Sequence, residues 1–315
     1  MRAVFTMIIL AGLILAPAMA QETGEKAEEG FRIYYIGNSL TDELKYDAFK
    51  NLAATREKNI IWGRHMIPGA PIVWLWDHME SGFRTNFGYP KEAFSKYQWD
   101  AITMQPFTDF TREFPAAVNF TKLLMENSPD AQVFIYAQWP NRRSRNWEKS
   151  FAGLAETPPD PESKYAEVLK MVQQRGITGY ERESLKNRYE MIVHGLNALE
   201  ITKKPVRLIP VGHVYQLLGQ KMDAGLVPGY SSIWEFYSDG VHVSNVGSFI
   251  VANTFYATIF GEDPTGLPVI DGYAAQISGA DRFEISDELR QVIQEFVWEI
   301  VASHPLTGVA SNKPV

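Results

Sequence analysis

Apolar residues along the chain keep two rhythms. Five short β-prone runs stand between turn residues: Arg32–Ile36, Asn59–Met66, Asp100–Gln105, Gln132–Gln138 and Val206–Val211. Between and after them the apolar positions recur at helical spacing, as in Tyr165–Gln174 and Arg182–Leu199. Val246–Phe260 is apolar almost throughout, and Ser286–Ser303 reads as a last amphipathic helix with Ser286 as cap before Asp287 and Glu288. Strands alternating with helices predict an α/β fold, with a five-stranded parallel sheet covered on both faces. That is a three-layer α/β/α sandwich of the flavodoxin-like kind. Sheets of this type bind ligands beyond the carboxyl ends of their strands, so the residues that follow each run are the ones to inspect.

The ends of the chain read differently. Met1–Ala20 has a positive start at Arg2, an apolar stretch from Val4 to Leu15 and a small-residue site, Ala18-Met19-Ala20, as a secretory signal does. The apolar stretch is too short for a good membrane span, and no later run is long enough either. Gln21–Gly30, rich in Glu and Lys, reads as a flexible leader, residues 31–303 as a single domain and residues 304–315 as a loose tail. The sequence contains no cysteine, which removes disulfides, a thiolate nucleophile and a cysteine zinc site. A net charge of −7 argues against general affinity for nucleic acid or anionic membrane. An exported protein, periplasmic or extracellular, fits these features.

The first run ends in Ile36-Gly37-Asn38-Ser39-Leu40-Thr41-Asp42. A strand, a sharp turn and a helix start follow from it, with Ser39 at the corner. A serine there has its hydroxyl at the mouth of the sheet and its N–H among the unpaired donors of a helix start. That suits a nucleophile whose own N–H can hold the oxyanion it creates. Ser39 or Thr41 as a plain helix cap fits the turn as well. Near the other end stands Ser238-Asp239-Gly240-Val241-His242-Val243-Ser244-Asn245. His242 is a candidate base, and Asp239 a candidate partner for its second ring nitrogen, three residues away. A surface turn that caps the next helix is the alternative.

Together the early Gly-Asn-Ser-Leu-Thr and the late Asp-Gly-Val-His resemble the GDSL/SGNH hydrolase family, over nearly the whole chain that follows Ala20. The resemblance implies a Ser39–His242–Asp239 triad. The Gly-x-Ser-x-Gly elbow of the α/β-hydrolases is not met, since Thr41 stands at its fifth position. The resemblance also implies oxyanion donors: Ser39 N–H, Gly69 N–H in Pro68-Gly69-Ala70-Pro71, and a side chain after the third strand. A Pro-Gly turn before a helix explains Gly69 equally. The family's third block is Gly-x-Asn-Asp, and this chain has Met104-Gln105-Pro106-Phe107-Thr108-Asp109 instead. Gln105 is the expected amide donor there, with Thr108 the alternative, and the departure bears on the oxyanion site rather than on the triad.

Beyond the fourth strand, a loop of about thirty residues carries Trp139, Arg142 and Trp147, candidates for stacking a sugar and pairing with an acid group. A solvated basic loop that packs its tryptophans is the alternative. Trp74, Trp76 and His78 read as helix packing. His213, after the fifth strand, is a lesser site candidate, equally read as a core-edge histidine; neither it nor His65 has an acid at such close spacing as His242 has. The expectation is a secreted serine esterase acting on O-acyl groups of a carbohydrate. It needs no metal or organic cofactor. A broad-range lipase, arylesterase or thioesterase is the alternative, as is a carbohydrate-binding relic of the same scaffold.

Overall fold

The computed structural model of the protein describes residues 29–141, 162–181, 184–274 and 285–309. The signal reading of Met1–Ala20, nearly all of the leader and the Arg142 and Trp147 candidates lie outside the described residues. A six-stranded sheet organises the chain, formed by β1 (Phe31–Gly37), β2 (Ile60–Met66), β3 (Phe83–Arg84), β4 (Ala101–Met104), β5 (Gln132–Tyr136) and β6 (Arg207–Ile209). The order is β3-β2-β1-β4-β5-β6; β1, β2, β4, β5 and β6 run parallel, and β3 pairs antiparallel with β2. The five parallel strands are the five apolar runs. The expected five-stranded sheet is corrected by β3, an edge strand of two residues, too short to show any periodicity.

Alternate side chains of each strand go to opposite faces. Ile33 and Tyr35 of β1 and Phe134 and Tyr136 of β5 enter one core; Tyr34, Ile36, Val133 and Ile135 enter the other. The first core lies under α2 (Tyr46–Ala54), α8 (Val211–Asp223), α9 (Asn245–Phe260) and α10 (Asp287–Ser303). The second lies under α3 (Ile72–Asp77), α4 (Pro90–Lys96), α5 (Phe110–Met125), α6 (Lys164–Gln174) and α7 (Leu185–Ala198). The result is the three-layer arrangement expected. Helix α9 is buried from Val246 to Thr258, as its unbroken apolar sequence requires, because α10 covers the side turned away from the sheet. Among the described residues no helix is long and apolar enough to cross a membrane.

The expectation of a loose tail from His304 is corrected for its described part. The N–H of Leu208 donates to Leu306 O at 2.8 Å, and the buried Thr307 hydroxyl donates to Val301 O at 2.7 Å. The segment satisfies the outer edge of β6, which would otherwise present unpaired backbone groups.

Candidate active site

The serine turn begins at Gly37, the last residue of β1. A β-carbon there would sit 2.0 Å from Thr41 Oγ1 and 2.9 Å from Gln105 Oε1, so only glycine lets the chain turn so close to its neighbours. Asn38 then caps the short helix α1 (Ser39–Asp42): its Oδ1 accepts the N–H of Leu40 at 3.0 Å. The same residue fixes the turn to two other strand ends. Its N–H donates to Gln105 Oε1 at 3.1 Å, beyond β4, and its amide donates to Ala70 O at 3.1 Å, beyond β2. The helix cap that the sequence allows to Ser39 therefore belongs to Asn38, and the Ser39 hydroxyl is left for another partner.

That partner is His242. Its Nε2 lies 2.9 Å from Ser39 Oγ, and its Nδ1 lies 2.8 Å from Asp239 Oδ2, across a sequence gap of 203 residues between serine and histidine. The loop that delivers them follows a short 3-10 turn at Ile233–Phe236, capped by Ser232 and Glu235. Tyr237 and Val243 then bridge antiparallel, closing residues 238–242 into a tight bend. Asp239 Oδ1 accepts the N–H groups of Val241 at 2.6 Å and His242 at 2.7 Å. The Val241 N–H, the His242 ring and the His242 N–H together hold the Asp239 carboxyl at about 2, so it is ionised at any ordinary pH.

Behind the loop stands Trp139. It is fully buried, its indole N–H donates to Val241 O at 2.7 Å, and it stacks on Tyr215. Tyr237 donates its hydroxyl to Pro140 O at 2.7 Å. The sequence reading that put Trp139 against substrate is thus corrected: a large apolar side chain just after β5 is covered by α8 and the 237–243 bend, and it positions the His242 loop from within.

The turn before α3 places Gly69 at φ +69°, with Ala70 N–H returned to Ile67 O at 3.1 Å. This is a turn whose third residue must be left-handed, which favours glycine. It is also tied to the serine turn, by Asn38 and by the Ile67 N–H on Gly37 O at 3.4 Å. Neither the Ser39 N–H nor the Gly69 N–H meets an acceptor among the described residues. The Gly-turn and oxyanion-donor readings of Gly69 are compatible here.

Gln105 does not fit the role expected of it. Its side chain is fully buried; its oxygen accepts from Asn38 N–H and from the Thr41 hydroxyl at 3.3 Å, and its amide donates to Gln138 Oε1 and Pro106 O. Both amide hydrogens are engaged, so Gln105 braces the serine turn from below. Thr108 is engaged too. Its N–H and hydroxyl both donate to Glu113 Oε1, at 2.6 and 2.8 Å. Glu113, a buried carboxylate on α5, accepts the Phe107 N–H as well and pins the 106–109 loop. The extra methylene of Gln105 is what carries its amide past the site to Gln138.

His65 is buried against Ser81 O, and burial lowers its pKa to about 4. His213 lies in a different cavity, whose lining contains none of Ser39, Asp239 and His242. That corrects its candidacy as a substrate contact. On α3, Trp76 packs edge-on against Phe120, as read from the sequence, whereas Trp74 is 50% exposed and stacks on the His78 ring at 3.9 Å.

Sequence reasoning missed Glu43, which follows α1 and accepts the Ser248 hydroxyl at 3.3 Å. Burial raises its carboxyl to about 7, against the opposing pull of His242, Ser248, Val243 N–H and Lys45. The unfolded chain loses this proton near 4.5, so between pH 4.5 and 7 the native state holds more protons and loses stability as pH rises. Glu43→Gln is therefore expected to stabilise the protein at pH 8, by up to about 3 kcal/mol, and to change little at pH 4. Urea unfolding at both pH values checks this; an equal effect at both would remove burial of the charged form as the cause.

No family model and no curated protein matches the chain. Among solved structures it is similar to a DUF4886 family protein from Bacteroides uniformis, at 12% identity and a TM-score of 0.55, over 87% of this chain and 96% of that one. A putative GDSL-like lipase from Parabacteroides merdae aligns at 11% identity and a TM-score of 0.44, over 74% of this chain and 96% of that one. The periplasmic domain of a lipopolysaccharide acetyltransferase from Salmonella ser. Paratyphi A aligns at 12% identity and a TM-score of 0.41, over 74% and 84%. The first likeness is one of fold; the other two are too distant to bear on chemistry.

Proposed function

We propose that the chain is an exported serine esterase of the GDSL/SGNH kind, acting on O-acyl esters, with an O-acetylated carbohydrate as its substrate class. The observation that carries this reading is the unbroken hydrogen-bonded path from Ser39 Oγ through the His242 ring to Asp239. His242 Nε2 takes the serine proton as Oγ bonds to the acyl carbon. The carbonyl oxygen gains its negative charge against the N–H groups of Ser39 and Gly69. His242 then gives the proton to the leaving alcohol. In the second half a water, deprotonated by the same ring, attacks the acyl-enzyme and releases the acid with Ser39 restored. Ionised Asp239 keeps the ring in the tautomer that accepts at Nε2. None of these steps calls for a metal or organic cofactor.

The carbohydrate part draws on Trp74, since Trp139 is buried. An exposed indole, steadied by His78 and placed a few residues beyond Gly69, offers a flat apolar face to a sugar ring. Trp74→Ala is expected to raise KM for an acetylated oligosaccharide by roughly 5- to 30-fold, the equivalent of about 1–2 kcal/mol of lost contact, and to leave p-nitrophenyl acetate hydrolysis unchanged. An equal change for both substrates would point to a structural role.

The reading as a whole is tested by a fluorophosphonate probe, with peptide mapping of the labelled residue. Labelling at Ser39 together with acetate release from acetylated glycans supports it. An unlabelled, folded protein that still binds glycan would make it a binding relic, and preferred turnover of long-chain p-nitrophenyl esters would make it a lipase.

A further inference from the structure

The second polar concentration in the molecule sits at the outer end of the sheet. Glu190 comes from α7, His213 from the first turn of α8 after β6, and His304 from the residue that ends α10. Two successive helices and a segment 114 residues beyond Glu190 thus converge on one point. Glu190 and His213 are buried, His304 nearly so, beside a cavity of about 500 Å³ also lined by Tyr180, His194 and Gln216. A carboxylate and two imidazoles rarely share a buried corner by accident of packing, because each must be desolvated and partnered.

The geometry points to a metal. Glu190 Oε1 lies 3.3 Å from His213 Nε2 and 3.2 Å from His304 Nε2. All three donor atoms fall within 4.8 Å of one another. Bonds of about 2.0–2.1 Å in a tetrahedral zinc site put neighbouring donor atoms roughly 3.3–3.4 Å apart, whereas charge-assisted hydrogen bonds are shorter, about 2.7–2.9 Å. The second carboxylate oxygen is held elsewhere. Tyr180 donates to Glu190 Oε2 at 2.6 Å and itself lies 3.1 Å from His194 Nε2, so Oε1 alone is presented to the two rings. Such outer partners orient the donors of metal sites.

We propose that Glu190, His213 and His304 bind a divalent transition-metal ion of the zinc class, with a water from the adjoining cavity as fourth ligand. Two neutral imidazoles and one carboxylate form a donor set that zinc uses, with the remaining position left to water. Lys186 comes within 3.8 Å of Oε1, but its side chain is 41% exposed and can withdraw into solvent. The bound ion would clip α7, α8 and the 304–309 segment together at β6. That edge stands three strand spacings from β1, roughly 14 Å, so the ion would act apart from Ser39.

The chain from which the secretory signal has been removed, stripped with chelator, is titrated with zinc chloride by calorimetry, and its melting temperature is followed in parallel. The absence of cysteine removes thiolate sites from the background. One equivalent is expected to bind with a micromolar or tighter Kd and to raise Tm. His304→Gln, at the rim of the cluster, is expected to weaken binding at least tenfold, while Lys186→Met tightens it. Cobalt substitution should give the intense visible absorption of a tetrahedral site, lost in His304→Gln. Zinc binding weaker than about 100 μM, or binding unchanged by both Glu190→Gln and His304→Gln, would overturn the proposal. If Glu190→Gln does not fold, His304→Gln alone decides.

Discussion

Ser39→Ala is expected to lower kcat by roughly 10⁴ or more on p-nitrophenyl acetate, as loss of a nucleophile does in other triads. Stability should move by no more than about 0.5 kcal/mol, the scale of a substitution that breaks no cap or buried contact. The two expectations separate the nucleophile from the helix cap. A capping serine that loses its hydroxyl costs about 1 kcal/mol and leaves the chemistry intact. Here Asn38 accepts the N–H that a cap must accept, and Ser39 Oγ lies against His242 at 2.9 Å. Steady-state kinetics beside a thermal melt reads both at once. A variant that keeps a tenth of wild-type kcat, or that melts several degrees lower with its activity little changed, would return Ser39 to a structural role.

How much of this was legible in the sequence follows from the range of each interaction. The five parallel strands and the helices around Tyr165, Val246 and Ser286 show in local periodicity, which burial on one or both faces imposes. The Asp239–His242 bond is also local: a turn of three residues brings the pair together. The pairing of Ser39 with His242 is not, and only the resemblance of the motifs at the two ends of the chain to the GDSL/SGNH hydrolases implies it. Side chains that reach across strands left no such trace. Gln105 stands at its strand end as expected, yet a methylene more than asparagine sends its amide to Gln138. Trp139 carries the same letters whether it faces solvent or supports Val241 from below; the α8 cover decides, and α8 lies some seventy residues on. Asn38 could have been found, since an Asn one residue before a helix start is a strong cap signal. Glu190 and His304 could not, because nothing along the chain marks residues 114 apart as neighbours.

Asp239→Asn separates the orientation of His242 from the folding of its loop. In the native loop Asp239 Oδ1 accepts the N–H groups of Val241 and His242, and Oδ2 faces the ring Nδ1. Asparagine can keep Oδ1 where it is, so the bend survives. Its amide group then faces His242 Nδ1 as a donor, and the ring must present a lone pair there. The proton moves to Nε2, which now donates toward Ser39 instead of accepting from it. A fall in kcat of roughly 10³–10⁴ is expected for this wrong tautomer, with the fold retained. Asp239→Ala leaves the two N–H groups without their acceptor, and it should lower Tm as well as kcat. The acid side gives an independent reading. With a folded pKa near 2 and an unfolded one near 3.8, Asp239 stabilises the native state above pH 4, and that contribution fades as pH falls through 2. Asp239→Asn should therefore flatten the stability profile between pH 4 and 2, and above pH 5 it should lower stability by a constant amount and leave the slope unchanged. If Asp239→Asn stays within tenfold of wild type at pH 7, the His242 ring is set by something other than Asp239, and the triad reduces to a serine and its base.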